Sequence, residues 1–185
     1  MQPLSPGLLL DRDGIIIRDT GYPSEPAAFA YLAPALAAIR AAQAAGARVA
    51  IITNQSGIGR GYFSLARFRR ATAALQQRLQ QEGLGYIPVY FCPHDPARSR
   101  CLCRKPGTLR FQQAVAQLEL NTAQCLAVGD KLRDLEPMLA LGGNGLLANA
   151  EPEMLATARA RGVPVLEDFQ QLPEQVARFF RETAP

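Results

Sequence analysis

The stretch GLLLDRDG, residues Gly7–Gly14, sets a short apolar run directly against two carboxylates, Asp11 and Asp13, and a closing glycine. A brief apolar run bounded by turn residues fits a strand buried on both faces. The same grammar recurs along the chain. After this first candidate strand (7–13) come RVAIITN (48–54), IPVYFC (87–92), QCLAVGD (124–130), GLLA (145–148) and VPVLED (163–168). Helical patterns occupy 34–45, 64–82, 107–119, 131–141, 151–161 and 172–182. The clearest is 64–82, where Leu65, Phe68, Ala71, Leu75 and Leu79 form one stripe and Ser64 is placed to cap the start. Strand–helix alternation of this regularity predicts an α/β fold, a parallel sheet with helices on both faces.

No internal repeat, low-complexity segment or linker divides the sequence, so a single domain over 1–185 is expected. That length suffices to bury roughly 70% of the unfolded surface. A hydrophobic content of 48% against 19% charged residues argues for a folded chain and against disorder. The opening MQPLSPGLLLDRDG has no cationic segment, and its apolar run stops at Asp11, which is unlike a signal peptide. The most apolar region, 31–53, is interrupted by Arg40, Arg48, a proline and a glycine, so no membrane span is expected. A cytoplasmic monomer is the default expectation.

The net charge of +4 points to an anionic partner. No block of five or more like charges appears, and RFRR at 67–70 falls within an amphipathic helical pattern. A phosphorylated small molecule therefore fits better than nucleic acid. Of the twenty basic residues only Lys105 and Lys131 are lysine, a hint that a compact ammonium is wanted at those two places.

In open parallel sheets, ligands bind beyond the carboxyl ends of the strands. Asp11 and Asp13 lie two apart at one such end, and on an extended strand they share a face. Asp130 ends another. Three acidic donors on one edge suit a hard cation, Mg2+ where a phosphate completes the shell; the plainer alternative is that aspartates simply terminate strands. Thr53, Ser56 and the glycines of TNQSGIGRG offer hydroxyl and N–H donors to phosphate oxygens. Lys105 and Lys131 would add positive charge.

FCPHDPARSRCLCRKPG, residues 91–107, holds the only histidine and three of the four cysteines. Cys92 and His94 are separated by one residue, as are Cys101 and Cys103. Two such chelating pairs can wrap a tetrahedral Zn2+ in a loop at about 91–105, leaving no position for water, so that the zinc is structural. The alternatives are unliganded thiols or a disulfide. The last is disfavoured in a cytosolic chain and by the closeness of Cys101 to Cys103. Cys125, inside QCLAV, reads as a core residue.

DRDG (11–14), ITNQSG (52–57), CRKP (103–106) and VGDKLRD (128–134) resemble, in order, the four motifs of haloacid dehalogenase-type phosphatases. More narrowly, with TNQSGIGRGYF and the CPH…CxCRKP stretch, they are similar to the heptose-bisphosphate and histidinol-phosphate phosphatase branch. The resemblance implies a Rossmann-like sheet without a large cap, since the chain has room only for the zinc loop and short segments near 18–32. It implies Asp11 as nucleophile, Asp13 as general acid and base, and Thr53 and Lys105 as stabilisers of the transferring group. It implies Mg2+ at Asp11, the Asp13 carbonyl and Asp130, and Zn2+ at Cys92, His94, Cys101 and Cys103. Substrate contacts fall to Asp19, Thr20, Gly21, Tyr22, Thr53, Asn54, Gln55, Ser56, Arg104, Lys105 and Lys131. The implied activity removes the 7-phosphate of a heptose 1,7-bisphosphate, on the way to lipopolysaccharide heptose. Histidinol phosphate, or phosphosugar binding without catalysis, are the alternatives. The family's Asp-x-Asp-Gly-Thr is here closed by Ile15, a lost hydroxyl expected to be supporting rather than catalytic.

Overall fold

The computed structural model describes residues 4–183. Six parallel strands form one sheet: β1 Ser5–Leu10, β2 Arg48–Asn54, β3 Val89–Cys92, β4 Leu120–Gly129, β5 Asn144–Ala148 and β6 Val165–Leu166, in the order β3-β2-β1-β4-β5-β6. Every strand pair is parallel, with β1 flanked by β2 and β4. The connecting helices are α1 Ala33–Ala44, the single turn α2 Ser56–Gly59, α3 Leu65–Gln81, α4 Leu109–Gln117, α5 Leu132–Ala140, α6 Pro152–Ala160 and α7 Leu172–Glu182.

Alternation along the strands divides the core. Leu8, Leu10, Val49, Ile51, Leu126 and Val128 face one side, under α1, α3 and α7; Leu9, Ala50, Ile52, Cys125 and Ala127 face the other, under α4, α5 and α6. Both faces are thus apolar, which is why the strands read as continuous hydrophobic runs. Gly7 is the one gap in β1: a Cβ there would lie 2.8 Å from Leu120 Cδ1 and 2.9 Å from Cys125 Sγ. Ser64 caps α3 by accepting the Arg67 N–H at 3.1 Å. Among the described residues no helix is long and apolar enough to cross a membrane.

Three expectations shift. β1 stops at Leu10 rather than running to 13, because Ile16 and Ile17 both donate to the Arg12 carbonyl and Gly14 takes φ +88°. Asp11 and Asp13 therefore sit on a turn, not on one face of an extended strand. β4 begins at Leu120, four residues earlier than 124, paired to Ser5 through an irregularity in register. Leu65, placed on the buried stripe of α3, is exposed, while Phe68, Ala71, Leu75 and Leu79 are buried.

The strand order reverses between β1 and β4, where such sheets open a crevice at their carboxyl ends. Buried polar side chains gather there: Arg12, Thr53, Gln55, Ser56, Lys105 and Asp134. Ile15 does not. It is fully buried in the hydrophobic core with Ile16 and Ile17, so the missing hydroxyl has become packing.

Candidate active site

Asp11 emerges at the end of β1, and its Oδ1 lies 2.8 Å from Lys105 Nζ. Lys105 reaches in from the loop between β3 and α4 and is 2% exposed. Its ammonium also meets Asp134 Oδ1 at 2.8 Å and donates to the Ile52 carbonyl at 2.7 Å. Three donors find three acceptors, so a charge buried this deeply is fully compensated. Burial alone would lower the Lys105 pKa, yet Asp11 and Asp134 outweigh it and raise it. Asn54 grips the backbone of the same residue, accepting the Lys105 N–H at 3.0 Å and donating to its carbonyl at 3.2 Å. Asn54 thus lines the cleft with its amide already committed, and Lys105 lies beneath the floor.

Asp13 is held differently. Arg12, 1% exposed, donates from Nε and Nη2 to Asp13 Oδ1 at 3.0 and 2.8 Å and from Nη2 to the Pro23 carbonyl at 3.2 Å. The Phe29 and Phe68 rings flank its guanidinium at 5.7 and 5.8 Å. On the other carboxylate oxygen, Gln55 Nε2 donates at 2.8 Å and also reaches Thr53 Oγ1 at 2.9 Å. The Asp13 carboxylate is thereby tied down away from Lys105.

The carboxylates that do converge are Asp11, Asp130 and Asp134, each offering an oxygen within 4.8 Å of the others. Burial pushes the Asp11 pKa up to about 7, against the pull of Lys105 and aided by Asp134 and Asp13. Burial raises Asp130 as well, with Lys131 opposing. Asp130 Oδ2 accepts from Lys131 Nζ at 2.7 Å, whereas Oδ1 is buried with no partner among the described residues. A buried carboxylate oxygen left unpaired, facing two further carboxylates, is a donor set suited to a hard divalent cation. Gly14 makes the approach possible, since a Cβ there would stand 2.8 Å from Asp130 Cγ and Oδ2.

Above this floor opens a cleft of ≈ 190 Å³ lined by Asp11, Asp13, Asp19, Gly21, Tyr22, Pro23, Thr53, Asn54, Gln55, Ser56, Arg60, Arg104, Lys131, Arg133 and Asp134. Most of the expected substrate contacts are here. Of the expected contacts, Thr20 is exposed and Lys105 is buried beneath the floor, and neither lines the cleft. Asp130 lines an adjoining cavity that shares Asp19 and Lys131 with this one. Four cleft residues were not among those expected: Pro23, Arg60, Arg133 and Asp134. For Asp134 a signal existed in GDKLRD, an aspartate one helical turn beyond Asp130 in the first turn of α5. Arg12 carried none beyond its place between the two aspartates.

The second polar cluster lies on the loop after β3. Cys92 Sγ is 3.6 Å from both His94 Nδ1 and Cys101 Sγ, and His94 Nδ1 is 3.2 Å from Cys103 Sγ. All four ligand atoms lie within 4.8 Å of one another, and all the cysteines are free. Ligands about 2.3 Å from a tetrahedral zinc stand about 3.8 Å apart, so four separate thiol and imidazole groups crowded this closely match a Cys3His set. The cluster could hold a metal with no position to spare.

The haloacid dehalogenase-like hydrolase family matches residues 9–142. D-glycero-beta-D-manno-heptose-1,7-bisphosphate 7-phosphatase of Yersinia pestis is 33% identical over 178 residues, 92% of this chain and 95% of the relative. The protein of the same name from Haemophilus influenzae is 30% identical over 184 residues, covering 95% and 98%. Among solved structures, D,D-heptose 1.7-bisphosphate phosphatase from B. bronchiseptica, complexed with magnesium and phosphate, superposes with a TM-score of 0.82 at 30% identity, covering 94% of this chain and 98% of the other.

Proposed function

The chain belongs to the haloacid dehalogenase-like hydrolases and is a phosphoric monoester hydrolase, and from that premise we propose that it removes the 7-phosphate of D-glycero-D-manno-heptose 1,7-bisphosphate. The observation that carries this reading is the polarity of the cleft. The carboxylates that converge at its floor, Asp11, Asp130 and Asp134, call for a cation, and its rim of Arg60, Arg104, Lys131 and Arg133 calls for an anion. A phosphate ester bound with a divalent cation satisfies both. The names of the full-length relatives supply the sugar.

Asp11 is the nucleophile. Its carboxylate oxygen forms a bond to phosphorus as the ester P–O bond to the sugar breaks, leaving an aspartyl-phosphate. Asp13 delivers a proton to the departing sugar oxygen, then takes one from the water that cleaves the aspartyl-phosphate. Lys105 holds Asp11 and Asp134 in place at 2.8 Å each. Thr53 is buried beside Asp13 and lines the same cleft, where its hydroxyl can meet a phosphoryl oxygen. Asp11, the Asp13 carbonyl and Asp130 would hold Mg2+, with Asp134 beside them, and the ion would supply positive charge that lets an anionic nucleophile approach an anionic phosphate. Zn2+ at Cys92, His94, Cys101 and Cys103 would be structural.

Phosphate release in Mg2+ from both anomers of heptose 1,7-bisphosphate, from histidinol phosphate and from simple sugar monophosphates tests the proposal. A preference for the bisphosphate, lost in Asp11→Asn, is expected. Preference for histidinol phosphate would overturn the substrate assignment, and release by Asp11→Asn at the wild-type rate would overturn the mechanism.

A further inference from the structure

Arg60 lines the cleft but belongs to neither the floor nor the zinc cluster, and it is tied to a residue with no role so far, Asp95. Asp95 follows the zinc-cluster residue His94 and is 8% exposed. Its Oδ1 accepts the Ala97 N–H at 3.1 Å and lies 3.3 Å from Arg60 Nε, while Oδ2 faces Arg98 Nε at 3.9 Å. The backbone joins the same two segments. Gly59 donates its N–H to the Pro93 carbonyl at 2.8 Å, so closely that a Cβ on Gly59 would stand 2.5 Å from the Asp95 nitrogen. Gln55 likewise donates to the Cys92 carbonyl at 2.7 Å. The turn carrying Arg60 is therefore laid directly on the metal loop.

A guanidinium has donors on more than one edge. Asp95 faces the Nε edge of Arg60 as an ion pair and the Tyr62 hydroxyl also bonds the side chain, so of its several N–H donors some remain for another anion. Arg104, beside Cys103, enters the same cleft, and its Nη1 is buried with no partner among the described residues. One loop thus positions two arginines, one through Asp95 and one through Cys103. Lys131, by contrast, is already paired with Asp130 at 2.7 Å.

We infer that Arg60 is a specificity-determining residue that, with Arg104, binds the non-reacting phosphate of a sugar bisphosphate, and that Asp95 is its positioning residue. This rests on the sugar-bisphosphate reading above. The reacting phosphate belongs over Asp11, and the second is read by the arginines that the metal loop presents. Bidentate recognition of phosphate favours arginine over lysine here.

The test compares kcat and KM for heptose 1,7-bisphosphate and heptose 7-phosphate, in Mg2+, on zinc-loaded protein. In Arg60→Gln, kcat/KM for the bisphosphate is expected to fall about tenfold to a hundredfold further than for the monophosphate, mainly through KM. Asp95→Asn keeps an acceptor for Ala97 N–H but loses the charge, and should shift the ratio the same way by less. On an Arg60→Gln background it should add nothing. Zinc content and thermal midpoint, read in parallel, must match wild type to within a few degrees. If Arg60→Gln lowers both substrates equally, or leaves the ratio unchanged, or if Asp95→Asn acts equally with and without Arg60, the inference is overturned. A wild-type enzyme without preference for the bisphosphate would instead overturn the underlying reading, and this inference with it.

Discussion

Lys105 Nζ lies 2.8 Å from Asp11 Oδ1, and Lys105 is 2% exposed, so the proposed nucleophile rests on a buried cation rather than facing one across open solvent. Asp134 completes the pair at 2.8 Å from the other side. Lys105→Met removes that charge and leaves two buried carboxylates opposed. Breaking such a pair costs about 3–5 kcal/mol, and kcat should drop by at least about a hundredfold. Urea unfolding with and without Mg2+ checks this, with Mg2+ expected to recover more stability in the variant than in wild type. A loss below about 1 kcal/mol would mean that Lys105 is not bearing the charge of Asp11 and Asp134.

Burial sets the pH behaviour of the same site. Asp11 is raised from 3.8 to about 7 in the folded, magnesium-free protein, chiefly by desolvation against the pull of Lys105. The folded state then holds a proton that the unfolded chain releases, so stability conferred below the unfolded value is lost as pH rises through about 7. Mg2+ at the proposed site would favour the ionised cluster and reverse the trend. The gain in thermal midpoint on adding Mg2+ should accordingly be larger at pH 8 than at pH 5.5. An equal gain at both values would contradict it.

Gly14 gives a steric test. A methyl group there meets Asp130 Cγ and Oδ2 at 2.8 Å, on a backbone with φ +88°. Gly14→Ala should cost about 1–3 kcal/mol through strain and weaken Mg2+ binding by displacing Asp130. Isothermal titration with Mg2+ and denaturant unfolding measure the two effects separately. Unchanged Mg2+ affinity in a folded variant would remove Asp130 from the proposed cation site.

Zinc is expected at close to one equivalent, by elemental analysis after purification without chelator. Less than about a tenth of an equivalent would exclude it. Cys103→Ala removes a ligand two residues before Lys105, so stability and turnover should fall together. A folded, zinc-free Cys103→Ala variant with normal turnover would separate the loop from the site. The loop reaches the cleft by a second route as well, through Asp95 and Arg60 at 3.3 Å.

Local patterns made much of this readable. The apolar runs before Asp11, Asn54, Cys92 and Asp130 end where strands end or within a residue of it, because burial on both faces needs continuous hydrophobics. The one-residue spacing of Cys92 with His94 and of Cys101 with Cys103 forecast a four-atom cluster that geometry brings together. The Ser64 cap is local too, three residues from its donor. Where the pattern misled, tertiary context decided. The extended run expected through Asp13 gave way to a turn at Arg12, and Leu65 completed a stripe that α3 does not bury.

The sequence by itself determined the alternation of elements, the aspartates at strand ends and the membership of the Cys/His quartet, since each depends on residues a few positions apart. Only the tertiary structure decided which charges face one another. Lys105 donates to a carbonyl 53 positions away, and Asn149 to the Gly14 carbonyl 135 positions away. Asp134 joins Asp11, and Asp95 pairs with Arg60. Those pairings follow from a strand order that sets β4 beside β1 and β3 beside β2, and a sheet is ordered by burying both faces at once, a condition no local window of sequence contains.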